Sequence, residues 1–162
     1  MEKYVQLAKE LGMVDAFIIS PKKICFDIRV VLKCKWGCEQ KSIKCDTHGI
    51  SYDERVEMLK KFKHILLVHS HNGRELSKTL LELERRAFLD DHYLAFAVRY
   101  CNFCEDCRIN KGEDCAFPEK VRPCEQLFGI DVFKTVRNLG LPINVLQDKD
   151  ELQNRYGLLL ID

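Results

Sequence analysis

The sequence predicts a single domain over residues 1–162, of the α+β or α/β class. A mixed sheet flanked by helices would carry two cysteine-rich loops at its strand ends. Three observations point there. Stripes of apolar residues at helical spacing alternate with short apolar runs of strand length. No repeat, low-complexity stretch or linker divides the chain. The two segments that lack any periodicity, about 34–49 and 101–123, are the ones where cysteine concentrates.

Taken in order, Tyr4, Leu7, Ala8 and Leu11 mark an opening helix, and Gly12 supplies its stop. Ala16-Phe17-Ile18-Ile19 reads as a short buried strand ended by Pro21. Ile28, Val30 and Leu32 alternate with Arg29 and Lys33, which predicts a half-exposed strand leading into Cys34. Ser51 and Glu54 form a capping-box signature, and Tyr52, Val56, Leu59 and Phe62 stripe the helix behind it. Ile65-Leu66-Leu67-Val68 is a buried strand. Asn72 or Gly73 then opens a long helix striped by Leu76, Leu80, Leu83 and Ala87. Tyr93 to Val98 returns as a strand, and this strand–helix–strand order predicts a parallel right-handed crossover. Asp131 caps a last helix with Val132, Val136 and Leu139, stopped at Gly140. Ile143 to Leu146 and Leu158 to Ile161 read as closing strands.

A chain of 162 residues buries roughly 70% of its unfolded surface, so a core forms without covalent staples. Apolar residues at 46% and charged ones at 31% describe a globular protein rather than a disordered one. Twenty-six basic and 25 acidic side chains nearly cancel, giving no reason to expect nucleic-acid or membrane binding. No apolar run approaches the ~20 residues of a membrane helix. The opening Met1-Glu2-Lys3-Tyr4 puts charge where an export signal needs an apolar stretch. A cytoplasmic setting follows, in which thiols stay reduced.

Nine cysteines are the anomaly in such a setting. Nine is odd, so disulfides alone would leave one over. They also fall into two clusters, Cys25 to Cys45 and Cys101 to Cys124, whereas cysteines used as small core residues would be scattered. Clustered thiols in a reducing compartment point to metal. In the second cluster, Cys101-x2-Cys104-x2-Cys107 sets three thiols at the interval with which a loop wraps one cubane. Bacterial ferredoxins complete such a run with a further cysteine close to proline. Here Cys115 and Pro118 stand in that order, after a longer gap. This spacing favours a 4Fe–4S cluster, with a structural four-thiolate zinc site as the alternative.

The first cluster offers Cys34-x3-Cys38 and then Cys45, with Cys25, Cys124 or His48 to choose from as a fourth ligand. Cys115 can also cross over to this site, as fourth cysteines do in two-cluster ferredoxins. With no fourth protein ligand, an open iron would be left for Lewis-acid chemistry. Cys25 reads better as a small buried hydrophobe, and Cys124 fits either role. One or two clusters are therefore expected, with a redox partner protein to exchange electrons with. Lys33, Lys35, Lys41, Lys44, Arg99, Arg108 and Arg122 surround the cysteines. Most of them read as solvated loop surface rather than as counter-charges. Trp36 and Phe103 are candidate shields against water. His69 and His71 share one face of a strand end, but His64, His69, His71 and His92 read as ordinary surface or core histidines.

Several of these motifs together resemble the predicted metal-binding family catalogued as domain of unknown function 2284. The resemblance runs from Asp27 to Leu141. It rests on Asp27-x-Arg29-Val30 before Cys34-x3-Cys38, Leu83-Glu84-Arg85-Arg86-Ala87-Phe88-Leu89 before Tyr93, and Ala95-Phe96-Ala97 before the Cys101 run. Cys115 with Pro118, Arg122-Pro123 and Gly129-Ile130-Asp131-Val132 complete it. It implies metal binding through Cys34, Cys38, Cys45, Cys101, Cys104, Cys107 and Cys115, with iron–sulfur the expected form, in an anaerobe. The chain departs from the family pattern at Asp46-Thr47, where prolines are usual, and at Cys124, where serine is usual. The resemblance implies no particular reaction.

Overall fold

In the computed structural model, residues 1–37, 45 and 47–162 are described. Helix α1 (Glu2–Glu10) leads into strand β1 (Asp15–Ile19), with Gly12 at φ 84° making the turn that Gly alone adopts without strain. Helices α2 (Val30–Trp36) and α3 (Tyr52–Lys61) follow, and α3 carries the capping box read from Ser51 and Glu54. Then come strand β2 (His64–Ser70), the long helix α4 (Gly73–Leu89), strand β3 (Phe96–Val98), helix α5 (Val132–Asn138) and strand β4 (Arg155–Ile161). Asn72 caps α4 by accepting from the Arg74 and Glu75 amides, and Asp131 caps α5 through the Lys134 amide.

The architecture is α+β. The sheet order is β1-β2-β4-β3, and all three pairings are antiparallel, so the sheet is not mixed. Strands β2 and β3 do run parallel to each other, as the crossover through α4 requires. They are not neighbours, however, because β4 inserts between them and hydrogen-bonds to both. Helices α1 and α4 cover one face, where Leu66, Val68, Leu159 and Ile161 meet Tyr4, Leu76, Leu80 and Leu83. Leu59 of α3 and Val136 of α5 cover the other, over Ile65, Leu67, Leu158 and Leu160. Covered on both sides, β2 is a continuous apolar run rather than an alternating one. Each of its fully buried residues contributes roughly 1.5–3 kcal/mol.

Three expected strands are corrected. Residues 28–32 form the turn and start of α2, not a strand. Asp27 organises that turn by accepting from the Arg29 amide at 2.9 Å, and its carbonyl takes the Val30 amide at 3.0 Å. With no strand alongside, a helix lets the segment satisfy its own backbone groups. Arg29 also holds the Asp27 carboxyl down at about 2. The strand expected from Tyr93 contracts to Phe96–Val98 because β4, its partner among the described residues, meets only those residues. Residues 143–146 are irregular: Ile143 enters the core, but Val145 is exposed and no strand lies beside it.

Gly129 explains the resemblance around Ile130. Its φ is 69°, and a Cβ there would stand 2.2 Å from the Tyr52 ring. Its carbonyl accepts the Asp27 amide at 2.8 Å while the Asp131 amide reaches the Cys25 carbonyl at 2.8 Å. The two distant motifs therefore lie side by side, joined by the bridge between Phe26 and Ile130.

Candidate metal centre

The second cysteine loop leaves the sheet where β3 ends. Arg99 donates its amide to the Pro123 carbonyl at 2.9 Å, so the outgoing chain at Cys101 and the returning chain at Cys124 start from one junction. Between them the loop holds two short 3-10 turns, Arg108–Lys111 and Pro118–Lys120. Phe103 meets Phe117 edge to face at 5.6 Å, and the Lys120 ammonium lies over both rings at 4.8 and 4.5 Å. This staple joins the chain between Cys101 and Cys104 to the chain just after Cys115. Such contacts are worth about 0.5–1.5 kcal/mol.

Within the stapled loop Cys101, Cys104, Cys107 and Cys115 are half-buried free thiols. The Cys104 thiol is pushed up first by burial, then by the charges of Cys107, Cys101 and Cys115. The other three thus lie near enough for their charges to act on it. Among the described residues no group of three or more Cys, His, Asp or Glu is close enough to hold a metal ion. The donor chemistry nonetheless fits a thiophilic centre: four neighbouring thiols on a loop light enough in regular structure to tighten around an ion.

The tail of this loop is fixed by Arg122. Its Nε donates to Glu84 Oε2 of α4 at 2.9 Å, a second nitrogen binds Glu84 Oε1, and Nη1 donates to the Glu119 and Val121 carbonyls. Glu84 Oε2 also accepts the Ala97 amide at 2.6 Å. Half-buried and raised in pKa by Glu84, Arg122 is a clamp between helix, strand and loop rather than solvated surface. Two motifs of the resemblance, around Glu84 and around Arg122-Pro123, are two halves of that clamp.

The first cysteine set is assembled differently. Cys34 lies on α2, Cys45 in the chain before α3, and both are half-buried. Cys38 lies outside the described residues, as do Lys41, Lys44 and Asp46. Cys124 is buried, and burial, with the charge of Glu125 next, pushes its thiol up to about 12. The charges of Cys34 and Cys45 add the smallest contributions to that rise. Cys25 is half-buried. Its amide donates to Thr135 Oγ1, and its sulfur accepts from Asn138 Nδ2 at 3.4 Å, which ties it to α5.

The remaining candidates separate clearly. His69 is buried, stacked on Tyr156 at 4.6 Å and paired with Asn154 Oδ1 at 2.8 Å, and burial lowers its pKa. It is a core histidine. His71 is exposed beside the Gln153 carbonyl, and His92 pairs with the Asp162 carbonyl. Trp36 is 80% exposed and shields nothing on α2. Arg108 faces Glu113 at 3.5 Å on the loop surface.

Two features were not read from the sequence. Arg99 and Glu125 form a buried pair, 3.5 Å apart, at the junction of the two loops. Glu125 sits in no apolar pattern that would have betrayed its burial. Burial raises its carboxyl, with Arg99 opposing. The other feature is a cavity of about 1030 Å³. Ile50 from the chain behind the first loop and Val121 and Pro123 from the second wall it, with Met58, Phe62 and Phe96 beside them. Apolar walls from segments far apart in sequence left no periodic signal.

Among the described residues no helix is long and apolar enough to cross a membrane. No curated protein and no solved structure matches the chain. The family model of DUF2284, described as a predicted metal-binding protein, matches residues 17–161, and the chain belongs to that family.

Proposed function

We propose, from this membership and the grouping of the thiols, that the chain is an iron–sulfur protein of a reducing, cytoplasmic compartment. A 4Fe–4S cluster would be held by Cys101, Cys104, Cys107 and Cys115, and a second by Cys34, Cys38, Cys45 and Cys124. The reading is carried by the four half-buried thiols Cys101, Cys104, Cys107 and Cys115 on one loop closed by Phe103 and Phe117. The spacing of the first three thiols favours a cubane over zinc. Cys115 fits the local role better than a crossing one, since the staple holds its neighbour Phe117 against Phe103. For the first set, Cys124 is favoured over Cys25 and His48 because the Cys34 and Cys45 charges reach it.

Bound clusters would supply one-electron transfer or a structural cross-link. The chain's own residues set the terms. The staple holds the start and the end of the second loop together, and the Arg122–Glu84 clamp fixes its tail to the sheet. Cys124 starts from the junction that also launches Cys101, so the two centres would be neighbours suited to passing electrons to a redox partner. A second reading, small-molecule chemistry, is favoured by the 1030 Å³ apolar cavity behind both loops.

Anaerobic purification with iron, zinc and sulfide analysis, followed by electron paramagnetic resonance of the reduced protein, tests the reading. Brown protein with about four iron and four sulfide per cluster is expected. Colourless, zinc-replete protein from the same preparation would replace it with a zinc-stapled interaction module.

A further inference from the structure

Arg99 is unusual in its burial and in what it lacks. Only 8% of its surface is exposed, yet its Nε and Nη2 find no hydrogen-bond partner among the described residues. Its carboxylate neighbour among the described residues, Glu125, stands 3.5 Å from Nη1, and Glu125 Oε1 has no hydrogen bond there either. Unsatisfied buried donors are rare enough to require a cause.

The surroundings sharpen the puzzle. The stem of Arg99 lies on Gly157 of β4, where a Cβ would come within 2.8 Å of Arg99 Cδ. Its Nη2 reaches the first residue of α4: a Cβ on Gly73 would be 3.2 Å from Nη2 and 3.1 Å from Asn102 Nδ2. Both groups are donors, and both crowd the positive end of a 17-residue helix. Arg155 is there too, with its Cδ 3.3 Å from the same point, and the charge of Arg99 adds to the burial that lowers its pKa. Two guanidiniums, an amide and a helix N-terminus thus converge, with Glu125 the one carboxylate opposed to Arg99. The balance is positive in a place where water is largely excluded. Net positive charge held so costs free energy unless an anion answers it.

A further anion that the chain itself can build begins two residues after Arg99, at the thiolate centre. Asn102 lies inside the Cys101–Cys104 run, and Arg99 shares a small cleft with Tyr100, Cys101 and Phe103. Four thiolates around either zinc or a 4Fe–4S cube carry net negative charge. We propose that Arg99, backed by Arg155 and the N-terminus of α4, is the built-in counter-charge of the centre at Cys101, Cys104, Cys107 and Cys115. It is a positioning residue: it ligates nothing, but it lowers the electrostatic cost of holding four thiolates together. The proposal rests on the metal reading above and holds for either metal. Glu125 keeps the guanidinium in place at the junction, which is why the pair is loose instead of closed.

The test is metal retention by full-length protein loaded anaerobically and challenged with a chelator. In the Arg99→Gln/Glu125→Gln double variant the buried pair is neutralised together, so the fold is not left with one unpaired charge. Circular dichroism should report a native fold, while retention at the second centre should fall roughly 10–100-fold. Arg99→Lys should recover most of the loss. If the centre is reducible, its midpoint potential should also move to more negative values in Arg155→Gln, because that variant removes a cation and leaves the Glu125 carboxylate in place. A folded double variant with unchanged retention would overturn the proposal and leave the pair a structural one. Should that variant not fold, Arg155→Gln, at a half-exposed position, decides. Several-fold weaker retention supports the counter-charge, and wild-type retention defeats it. Wild-type protein that binds no metal would instead remove the centre itself, a result visible before any variant is made.

Discussion

Cys101, Cys104, Cys107 and Cys115 belong to one loop, whereas Cys34, Cys45 and Cys124 come from a helix, a connecting segment and the far side of the sheet junction. The first arrangement closes on itself through Phe103, Phe117 and Lys120. In the proposed second arrangement, Cys124 could join Cys34 and Cys45 only after β3 and the chain at Pro123 have come together. Local spacing can specify the one; only the tertiary fold can specify the other. That difference also separates their chemistry. The loop thiols are half-buried and reachable, while the Cys124 thiol is sealed in and starts from a pKa of about 12.

The largest effect that sharpens this comparison is on thiol reactivity. In reduced, metal-free protein below pH 9, Cys124 should be alkylated on the order of a thousandfold more slowly than a thiol at the ordinary value of 9.0, in proportion to its thiolate fraction. Peptide mapping after timed iodoacetamide exposure measures it. Labelling of Cys124 as fast as the loop thiols would erase the distinction. Next in size is the clamp. Glu84→Gln leaves Arg122 half-buried without its charge partner, and urea unfolding should show a loss of about 2 kcal/mol. A loss near zero would mean that the tail of the second loop is held by its carbonyl contacts alone.

A change to the platform beneath both sets should be smaller. Tyr156 donates its hydroxyl to the Pro142 carbonyl at 2.9 Å, and burial raises its phenol to about 12. Tyr156→Phe should cost about 1 kcal/mol at neutral pH. Because the folded pKa lies above the unfolded value near 10, the stability from Tyr156 is complete below pH 10 and is lost as pH rises toward 12. The variant should therefore show a flatter alkaline limb in a pH series of melting temperatures. Smallest of all, Phe117→Ala removes one ring of the staple and should cost about 0.5–1.5 kcal/mol. It should loosen metal at the second set while sparing the first. Equal loosening at both would show the two sets to be one unit.

The same contrast explains what was legible in the sequence. The Cys101 run, the Ser51–Glu54 box and the stripe of α4 are local patterns, and each can be read within a few turns of chain. The insertion of β4 between β2 and β3 cannot, since nothing in residues 155–161 names its neighbours. Residues 28–32 misled because Ile28 and Leu32, four apart, satisfy helical as well as alternating spacing, and Asp27 decides for the helix. Ile143 is apolar and buried without any strand beside it. Cys124 was ambiguous because its companions lie far earlier in the chain, and Glu125 was invisible because a buried carboxylate looks, in sequence, like any surface one. Arg122 stands in the sequence among basic residues most of which read as solvated surface, and its partner Glu84 sits in a helix that gives no hint of the meeting.

The insertion of β4 has a consequence for synthesis. Both cysteine sets leave the ribosome before residues 155–161 do, yet β4 is the strand that joins β3 to the rest of the sheet. Until it docks, Arg99 and Pro123 have no platform, and the junction from which Cys101 and Cys124 depart cannot hold its shape. Thiols exposed during that interval can bind metal in the wrong combinations or be oxidised. Late arrival of one central strand therefore sets a window in translation during which a metal-delivery step would have to wait, and after which the loops are ready together.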